Sequence, residues 1–303
     1  MTTEYPTART LQSAGRPEIA VVIPAWNAAT TLAEQLEALA RQDFTGPWEL
    51  VVVDDGSTDG TVAVATEFAD RLPLRVVATG KTRGPAHARN VGAAASSAPL
   101  IGFVDADDVV ADDWLRVVRT SLDEHSAVAS RFDAKRLNPP DVRASRTLGQ
   151  KVGLGRDRYA GFLPHAGGCG LAVRREVHED IGGFDERLPR LEDTDYCWRL
   201  QLAGWKLQFV PEAVVHVRFR QQATALLHQA FAYGRINGWL YHRYRPLGML
   251  HVSWWREARG VVRGIAALPL ARPASTRLRH LRTVVRHLGT LAGRVEASIA
   301  QRP

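Results

Sequence analysis

The sequence contains very little cysteine. Only Cys169 and Cys197 occur among its 303 residues, and their spacing matches no zinc-binding motif. A disulfide framework, the device by which small secreted domains compensate for a small core, is therefore excluded. The reducing cytoplasm is the expected compartment.

Long apolar runs are absent as well. No segment supplies the roughly 20 consecutive apolar residues that a membrane-spanning helix needs. Residues 1–18 are polar and lack the apolar core of a signal peptide. We therefore expect neither export nor membrane spanning, and we expect residues 1–18 to be disordered.

Acidic residues are scarce in residues 218–303. This region has 15 Arg, no Lys and two Glu, a net charge of +13, whereas the whole chain carries +7. Its helical segments contain the aromatic residues Trp239, Tyr241, Tyr244, Trp254 and Trp255. Arginine and aromatic residues on amphipathic helices suit an anionic membrane surface, and no recognised motif indicates nucleic acid. The alternative is a solvated helical tail that packs on the rest of the chain or on another subunit.

Strand-like and helix-like segments alternate through the first two thirds of the chain. Apolar, β-branched runs at 19–23, 50–53 and 74–78 are each followed by turn residues and then by a segment of helical character. This alternation predicts right-handed crossovers and a mostly parallel α/β sheet. We expect one domain over 19–218 and a basic helical extension over 219–303.

Three carboxylates stand close together where the apolar run of residues 100–104 ends. Asp105, Asp107 and Asp108 repel one another, so such a group usually persists where a hard cation sits. The carboxyl edge of a parallel sheet is also where ligands bind. The alternative is a polar loop whose Asp residues cap the helix expected near Asp112.

Six short motifs occur in order along the chain. They are Val-Ile-Pro-Ala-Trp-Asn at 22–27, Asp-Asp-Gly-Ser-Thr-Asp at 54–59, Ala-Arg-Asn-Val-Gly at 88–92, Asp-Ala-Asp-Asp at 105–108, Gly-Gly-Phe-Asp-Glu at 182–186 and Glu-Asp-Thr-Asp at 192–195. Together they resemble the motifs of inverting, nucleotide-sugar-dependent glycosyltransferases of family 2. The resemblance covers roughly residues 19–218. It implies the GT-A fold, a Rossmann-like, mostly parallel sheet flanked by helices.

The resemblance also implies a divalent metal ion. Asp107 corresponds to the direct ligand that bridges to the diphosphate, Asp105 faces the ribose hydroxyls, and Ala106 lies between them in the donor site. Asp108 is expected to support these residues or to cap a helix. His216 corresponds to a second protein ligand, although a lone strand histidine can be structural. Oxygen ligands with one imidazole suit Mn²⁺ or Mg²⁺ better than zinc.

The donor nucleotide is expected on the first loops. Asp55 can accept a hydrogen bond from the imide of uracil or thymine, and Trp26, two residues after Pro24, offers an aromatic face; the alternatives are a turn carboxylate and ordinary core packing. Arg89 can bridge the acidic residues or reach the phosphates. A UDP- or dTDP-type donor is therefore expected. Thr82 stands where relatives often carry Asn, which leaves the choice of nucleotide open.

A carboxylate must accept the proton of the attacking hydroxyl in such a transfer. By resemblance, Asp193 is the catalytic base, Glu192 supports it, and Asp195 faces the interior toward Arg199. The alternative is an acidic cluster that caps a helix and interacts with its dipole.

Residues 134–165 and the glycines after them carry a weaker signal. Arg, Pro and Gly are frequent in 134–165, which predicts a loop or short helices of the kind that often determine acceptor specificity. Gly167 and Gly168 either allow close approach of an acceptor or form a tight turn before an edge strand.

The leading hypothesis is a metal-dependent transfer of a sugar to an acceptor hydroxyl. The acceptor is expected to be a cell-envelope, lipid-linked or secondary-metabolite glycan, and the enzyme to be cytoplasmic and peripheral at the inner face of the plasma membrane. A sugar nucleotidyltransferase is the alternative enzyme, although no glycine-rich phosphate loop with Arg and Lys occurs early in the chain. A catalytically silent, membrane-binding scaffold is the third hypothesis.

Overall fold

A computed structural model describes residues 15–144, 148–156, 162–220, 222–272 and 274–300. Most of the segment expected to be disordered, residues 1–18, lies outside the described residues. The chain divides into two compact units. Unit 1 contains the described residues up to Arg136, together with Gly149–Gly155 and His165–Arg218. Unit 2 contains the described residues within Leu137–Leu148, Arg156–Pro164 and Phe219–Pro303.

Unit 1 contains one sheet with helices on its crossovers. Its strands are β1 Ile19–Ala25, β2 Trp48–Asp54, β3 Leu74–Ala78, β4 Leu100–Phe103, β5 Val109–Val110, β6 Ala127–Asp133, β7 Leu171–Arg174 and β8 Leu207–His216. Its helices are α1 Leu32–Ala40, α2 Thr61–Thr66, α3 Pro85–Ala94, α4 Trp114–Glu124, α6 Arg175–Asp180 and α7 Glu192–Leu202. The α/β prediction is confirmed.

The strand order is β3-β2-β1-β4-β7-β6-β8-β5. Strands β1 to β4 are mutually parallel, and β6 is parallel to β8. Strand β7 runs antiparallel to both of its neighbours, and β5 runs antiparallel to β8. The apolar runs recognised in the sequence are the buried strands β1, β2 and β3, since a strand covered on both faces is apolar throughout.

The connection order reverses beside β1, where β2 lies on one side and β4 on the other. Such a switch point opens a crevice at the carboxyl ends of the strands. Helix α3 packs very closely behind this crevice, because a Cβ atom at Gly92 would lie 2.3 Å from Cγ1 of Val22. The fold therefore gathers the ends of β1 and β4 and the helix α3 at one edge of the sheet.

Unit 2 is helical in the residues that the structure describes. It contains α5 Pro140–Ala144, α8 Ala223–Tyr244, a 3₁₀ helix at Arg245–Leu247, α9 Trp254–Ala267 and α10 Ala274–Ala300. No described helix combines the length and the apolar character that crossing a membrane requires.

Helices α8 and α10 cross at glycine residues. A Cβ atom at Gly293 would lie 1.9 Å from the carbonyl oxygen of Arg235, and one at Gly234 would lie 2.1 Å from that of Arg286. Distances below 3.0 Å to backbone atoms cannot be relieved by moving a side chain. The two backbones are therefore in direct contact, and this contact fixes the core of unit 2.

We expect Gly234→Ala to destabilise the protein by about 1–3 kcal/mol, the usual cost of overpacking, because the added methyl group must separate α8 from α10. Gly153→Ala is the matched control, since no atom lies within 4 Å of its Cβ position. Urea unfolding followed by circular dichroism measures both variants. Equal midpoints for the two variants would contradict close helix contact.

Candidate functional site

The three carboxylates after β4 have different surroundings. Asp107 is exposed, Asp105 is half-buried and Asp108 is buried. The backbone N–H of Arg218 donates to Oδ1 of Asp108 at 2.8 Å, and Nε of Arg218 donates to the carbonyl oxygen of Asp107 at 3.0 Å. Helix α4 has no side-chain cap. The suggestion that Asp108 caps a helix is therefore wrong: it joins the β4 turn to the end of β8.

Asp108, Asp105 and Cys169 form a compact cluster. One ligand atom from each lies within 4.8 Å of the others, and the N–H of Asp105 donates to Sγ of Cys169 at 3.3 Å. Burial raises the pKa of the Cys169 thiol well above its usual value, so the thiol stays protonated. Burial and the neighbouring Asp107 and Asp105 also raise the pKa of Asp108 well above normal. The cluster is hydrogen-bonded internally and to the backbone of Arg218, so it supports the turn that carries Asp107.

His216 lies at the end of β8, next to the β4 turn. It pairs with Val109 in the antiparallel ladder of β5 and β8. Val109 is two residues along the chain from Asp107. Its Nδ1 lies 3.5 Å from Oδ1 of Asp133. Burial and Arg136 lower its pKa, which favours the neutral imidazole that binds metals. An exposed carboxylate and a neutral imidazole on adjacent segments fit a divalent ion such as Mn²⁺ or Mg²⁺.

Arg89, on α3, connects two parts of the site. Its Nη1 donates to Oε1 of Glu192 at 2.7 Å, and its Nη2 donates to Oδ1 of Asp105 at 2.8 Å. The guanidinium lies over the ring of Phe184, 5.5 Å from the centroid, and a Cβ atom at Gly168 would lie 2.8 Å from its Cζ. Burial opposes the charge, but the carboxylates raise the pKa of Arg89, so it remains charged.

Asp193 stands in the first turn of α7. The N–H of Gly168 donates to its Oδ2 at 3.0 Å, and the N–H of Thr194 donates to its Oδ1 at 2.7 Å. Burial raises the pKa of Asp193, and Arg89 acts in the opposite direction. Leu191, immediately before the helix, has φ 58°, a left-handed conformation that costs a leucine of order 1 kcal/mol. The helix therefore begins directly after a strained residue, and Asp193 lies in its first turn.

The other acidic residues of α7 differ in their partners. Glu192 is buried, and burial together with Asp193 raises its pKa, while Arg89 opposes this effect. Asp195 is fully buried and accepts a hydrogen bond from Nε of Arg199 at 2.7 Å, as the sequence predicts. Asp195 therefore belongs to the interior, and Glu192 and Asp193 belong to the site.

The predicted nucleotide loops lie at the carboxyl ends of β1 and β2. Asp55 accepts the hydroxyl of Thr79 on Oδ1 at 3.0 Å and the N–H of Gly84 on Oδ2 at 2.9 Å, so it also holds the loop before α3. Trp26 is 63% exposed, which excludes ordinary core packing. Pro24 is half-buried in β1, beyond the last residue paired with β4, and Ala106 is buried.

Sequence reasoning missed two contributions. Gly168 contacts Arg89 and holds Asp193; the glycine pair at 167–168 was the available signal, but an acceptor was the expected partner. Leu191 gave no signal, because left-handed positions are usually Gly or Asn. The strand after these glycines is also not an edge strand, since β7 lies between β4 and β6.

Comparisons with known proteins bear directly on this site. The family model described as "Glycosyl transferase family 2" matches residues 20–182, more than half of the chain, and "Glycosyl transferase family group 2" matches residues 141–286. A pre-mycofactocin glycosyltransferase of Mycobacterium tuberculosis is 30% identical over 72% of this chain. The chain spans 46% of that relative. Glycosyltransferase AglE of Haloferax volcanii is 25% identical over 79% of the chain and 80% of its own length.

Solved structures agree in fold. The mannosyltransferase PcManGT of Pyrobaculum calidifontis has a TM-score of 0.61 at 20% identity, over 98% of this chain and 92% of that one. TarS 1–349 of S. aureus has a TM-score of 0.52 at 19% identity, over 94% and 92%. The family match favours a glycosyltransferase over the nucleotidyltransferase alternative. The chain has the GT-A fold and belongs to glycosyl transferase family 2.

Proposed function

We propose that this enzyme transfers a sugar from a nucleoside-diphosphate donor to an acceptor hydroxyl, with inversion at the anomeric carbon and with the help of Mn²⁺ or Mg²⁺. The double hydrogen bond of Arg89 to Asp105 and Glu192 is the observation that carries the proposal. It connects the acidic turn that is proposed to bind the donor with the helix that carries the proposed base. One buried cation therefore holds the donor site and the base in place relative to each other.

Asp193 is proposed to accept the proton as the acceptor oxygen attacks the anomeric carbon. The nucleoside diphosphate leaves on the opposite side of the sugar, which inverts that carbon. Burial raises the pKa of Asp193, which makes it a stronger base than an exposed aspartate. The N–H groups of Gly168 and Thr194 each hold one of its oxygens and so fix the orientation of the carboxylate.

Asp107 and His216 are proposed to hold the metal ion. Both terminal nitrogens of Arg89 already bond carboxylates, so the negative diphosphate needs another positive charge near these acidic residues. A bound divalent ion supplies that charge and stabilises the leaving group. A structural neighbour, the mannosyltransferase PcManGT, was solved with GDP-Man and Mn²⁺.

The donor is proposed to be a UDP- or dTDP-sugar. The support is Asp55, which follows β2 and whose N–H donates to the carbonyl oxygen of Ala25, the residue before exposed Trp26, and Asp105, the proposed partner of the ribose. Structural neighbours include TarS with UDP and with UDP-GlcNAc, although PcManGT was solved with a guanosine donor. The acceptor is proposed to be a cell-envelope, lipid-linked or secondary-metabolite glycan, reached from the cytoplasmic side of the plasma membrane.

Product analysis tests the proposal. Purified enzyme, Mn²⁺ and a panel of nucleotide sugars should release free nucleoside diphosphate with one donor, and nuclear magnetic resonance should show an inverted anomeric configuration. Release of pyrophosphate would indicate nucleotidyl transfer instead. A retained configuration would contradict the single displacement.

Asp107→Asn is expected to weaken UDP binding mainly when Mn²⁺ is present, because loss of the carboxylate leaves the phosphates facing the remaining acidic residues without a bridging ion. Calorimetric titration of UDP with and without Mn²⁺ measures the difference, and Asp70→Asn, at an exposed position, is the control. His216→Ala should show a smaller effect of the same kind. Equal metal-dependent binding by wild type and Asp107→Asn would refute the assignment.

A further inference from the structure

Helix α9 is fixed on α10 by its small residues. A Cβ atom at Gly260 would lie 2.2 Å from the ring of His287, and one at Gly264 would lie 2.4 Å from Cγ2 of Val284. Glu257, on the same side, is buried and lies 2.6 Å from Nδ1 of His287. The side of α9 that faces α10 therefore contains glycines and the buried Glu257, which determines where its other faces point.

Three apolar side chains of α9 are exposed, whereas the ring centroid of Trp254 lies 4.4 Å from Cζ of Arg294 on α10. Trp255 is 72% exposed, Val262 66% and Ile265 53%, and their spacing places them on one side of a 3.6-residue helix. Helices on globular proteins usually bury their apolar stripe. Here the stripe is left on the surface, and Leu270, just beyond the helix, is 85% exposed. An exposed apolar face of this kind indicates an interaction surface.

An arginine row runs beside this apolar face. Arg256, Arg259 and Arg263 follow one another at helical spacing and, with His280 and Thr283 of α10, line a cavity of about 620 Å³. Within the described residues, Arg259 and Arg263 form no ion pair. Residues 218–303 contain only two acidic residues, and Glu257 and Glu296 are bonded to His287 and Arg235. This surface therefore carries a positive charge that residues 218–303 do not neutralise.

We infer that α9 docks on an anionic phospholipid bilayer. Trp255, Val262 and Ile265 enter the boundary between headgroups and acyl chains, and Arg259 and Arg263 contact lipid phosphates at its edge. An apolar face beside arginines is the pattern of interfacial helices, and the net charge of +13 complements an anionic leaflet. The inference deepens the proposed peripheral location and identifies the element that binds. It does not depend on which residue is the base.

A site-specific fluorescent label tests the contact. Both native cysteines are buried, so a cysteine introduced at an exposed position is labelled selectively with the polarity-sensitive probe NBD. Val262→Cys tests the apolar face, and Val152→Cys, at a position that is 91% exposed in unit 1, is the matched control. Vesicles of phosphatidylcholine alone are compared with vesicles containing 30% phosphatidylglycerol. We expect a blue shift only for the label at 262 and only with phosphatidylglycerol.

The charged row is tested separately by vesicle sedimentation. Arg263→Gln should weaken binding to the phosphatidylglycerol vesicles by roughly fivefold, the usual contribution of one basic residue near such a surface, and high salt should weaken it further. Lys206→Gln removes the same charge from an exposed position in unit 1 and should bind as wild type does.

Three results would overturn the inference. Equal binding to neutral and anionic vesicles would exclude lipid charge as the determinant. A label at 262 that is already in an apolar environment before lipid is added would indicate a protein occupant, from the same chain or from a second copy. A blue shift with a short RNA and none with vesicles would assign the surface to nucleic acid. Because neither donor nor acceptor is present, a failure of the proposed transfer chemistry would not change these outcomes.

Discussion

Asp193→Asn should lower turnover by roughly 100-fold to 10,000-fold and leave donor binding nearly unchanged. The amide keeps the size of the side chain, and its oxygen can still accept the N–H of Gly168, which donates at 3.0 Å. The bond from the N–H of Thr194 to the second oxygen is lost. The amide cannot accept a proton from the acceptor hydroxyl. The variant therefore separates proton transfer from the positioning of α7. Nucleotide release measures turnover, and calorimetry measures donor affinity.

The pH dependence gives a second readout for Asp193. Burial raises its pKa, so the acidic limb of kcat/KM in the wild type should lie above the range of an ordinary aspartate. Activity is lost there because the base becomes protonated, and this limb should be absent in Asp193→Asn. Asp70→Asn is the control for an exposed aspartate. If Asp193→Asn retains more than a tenth of wild-type turnover, the base is another residue, and Glu192 is tested next.

The sequence predicted the parallel half of the sheet better than the rest. Strands β1, β2 and β3 are continuous β-branched runs, because their residues are covered on both faces. Strand β8 is interrupted by the exposed residues Gln208, Pro211 and Glu212, so only its end was recognised. The position of β7 between β4 and β6 depends on pairing between distant segments, and local periodicity does not specify such pairing.

The site divides in a similar way. Charged side chains at strand ends and helix starts are visible in the sequence, and this identified Asp105, Asp193 and Arg89. Backbone contributions are less visible: the glycine pair at 167–168 does not reveal that the Gly168 N–H holds Asp193, and the sequence does not indicate that Leu191 takes a left-handed conformation. The sequence left open whether Asp108 supports its neighbours or caps a helix, because its partner, the N–H of Arg218, is 110 residues away along the chain.

Arg89 is expected to be the most costly residue of the site to replace. Its side chain is only 5% exposed, and it bonds two carboxylates from different parts of the chain. Arg89→Met keeps the bulk of the side chain but removes the charge, which leaves Glu192 and Asp105 without their cation. Removing one partner of a buried pair typically costs about 3–5 kcal/mol. Unfolding in urea at pH 7 measures this loss, and Arg89→Lys, which retains one charge, should lose less.

The cost of Arg89→Met should depend on pH in a definite direction. Burial already raises the pKa of Glu192, and Arg89 opposes that shift, so its removal raises this pKa further above the value in the unfolded chain. A group whose pKa is higher in the folded state loses stability as the pH rises through that folded value. The difference between Arg89→Met and the wild type should therefore be smaller at acidic pH than at pH 7.

The double variant Arg89→Met/Glu192→Gln distinguishes loss of charge pairing from loss of packing. If the cost arises from an unpaired buried carboxylate, replacing Glu192 by its neutral amide should recover part of the stability lost in Arg89→Met and should weaken the pH dependence. If the cost arises from packing against Phe184 and Gly168, the double variant should be no more stable than Arg89→Met. Coupling between the two substitutions would establish that Arg89 positions α7 through charge, and its absence would assign Arg89 to packing alone.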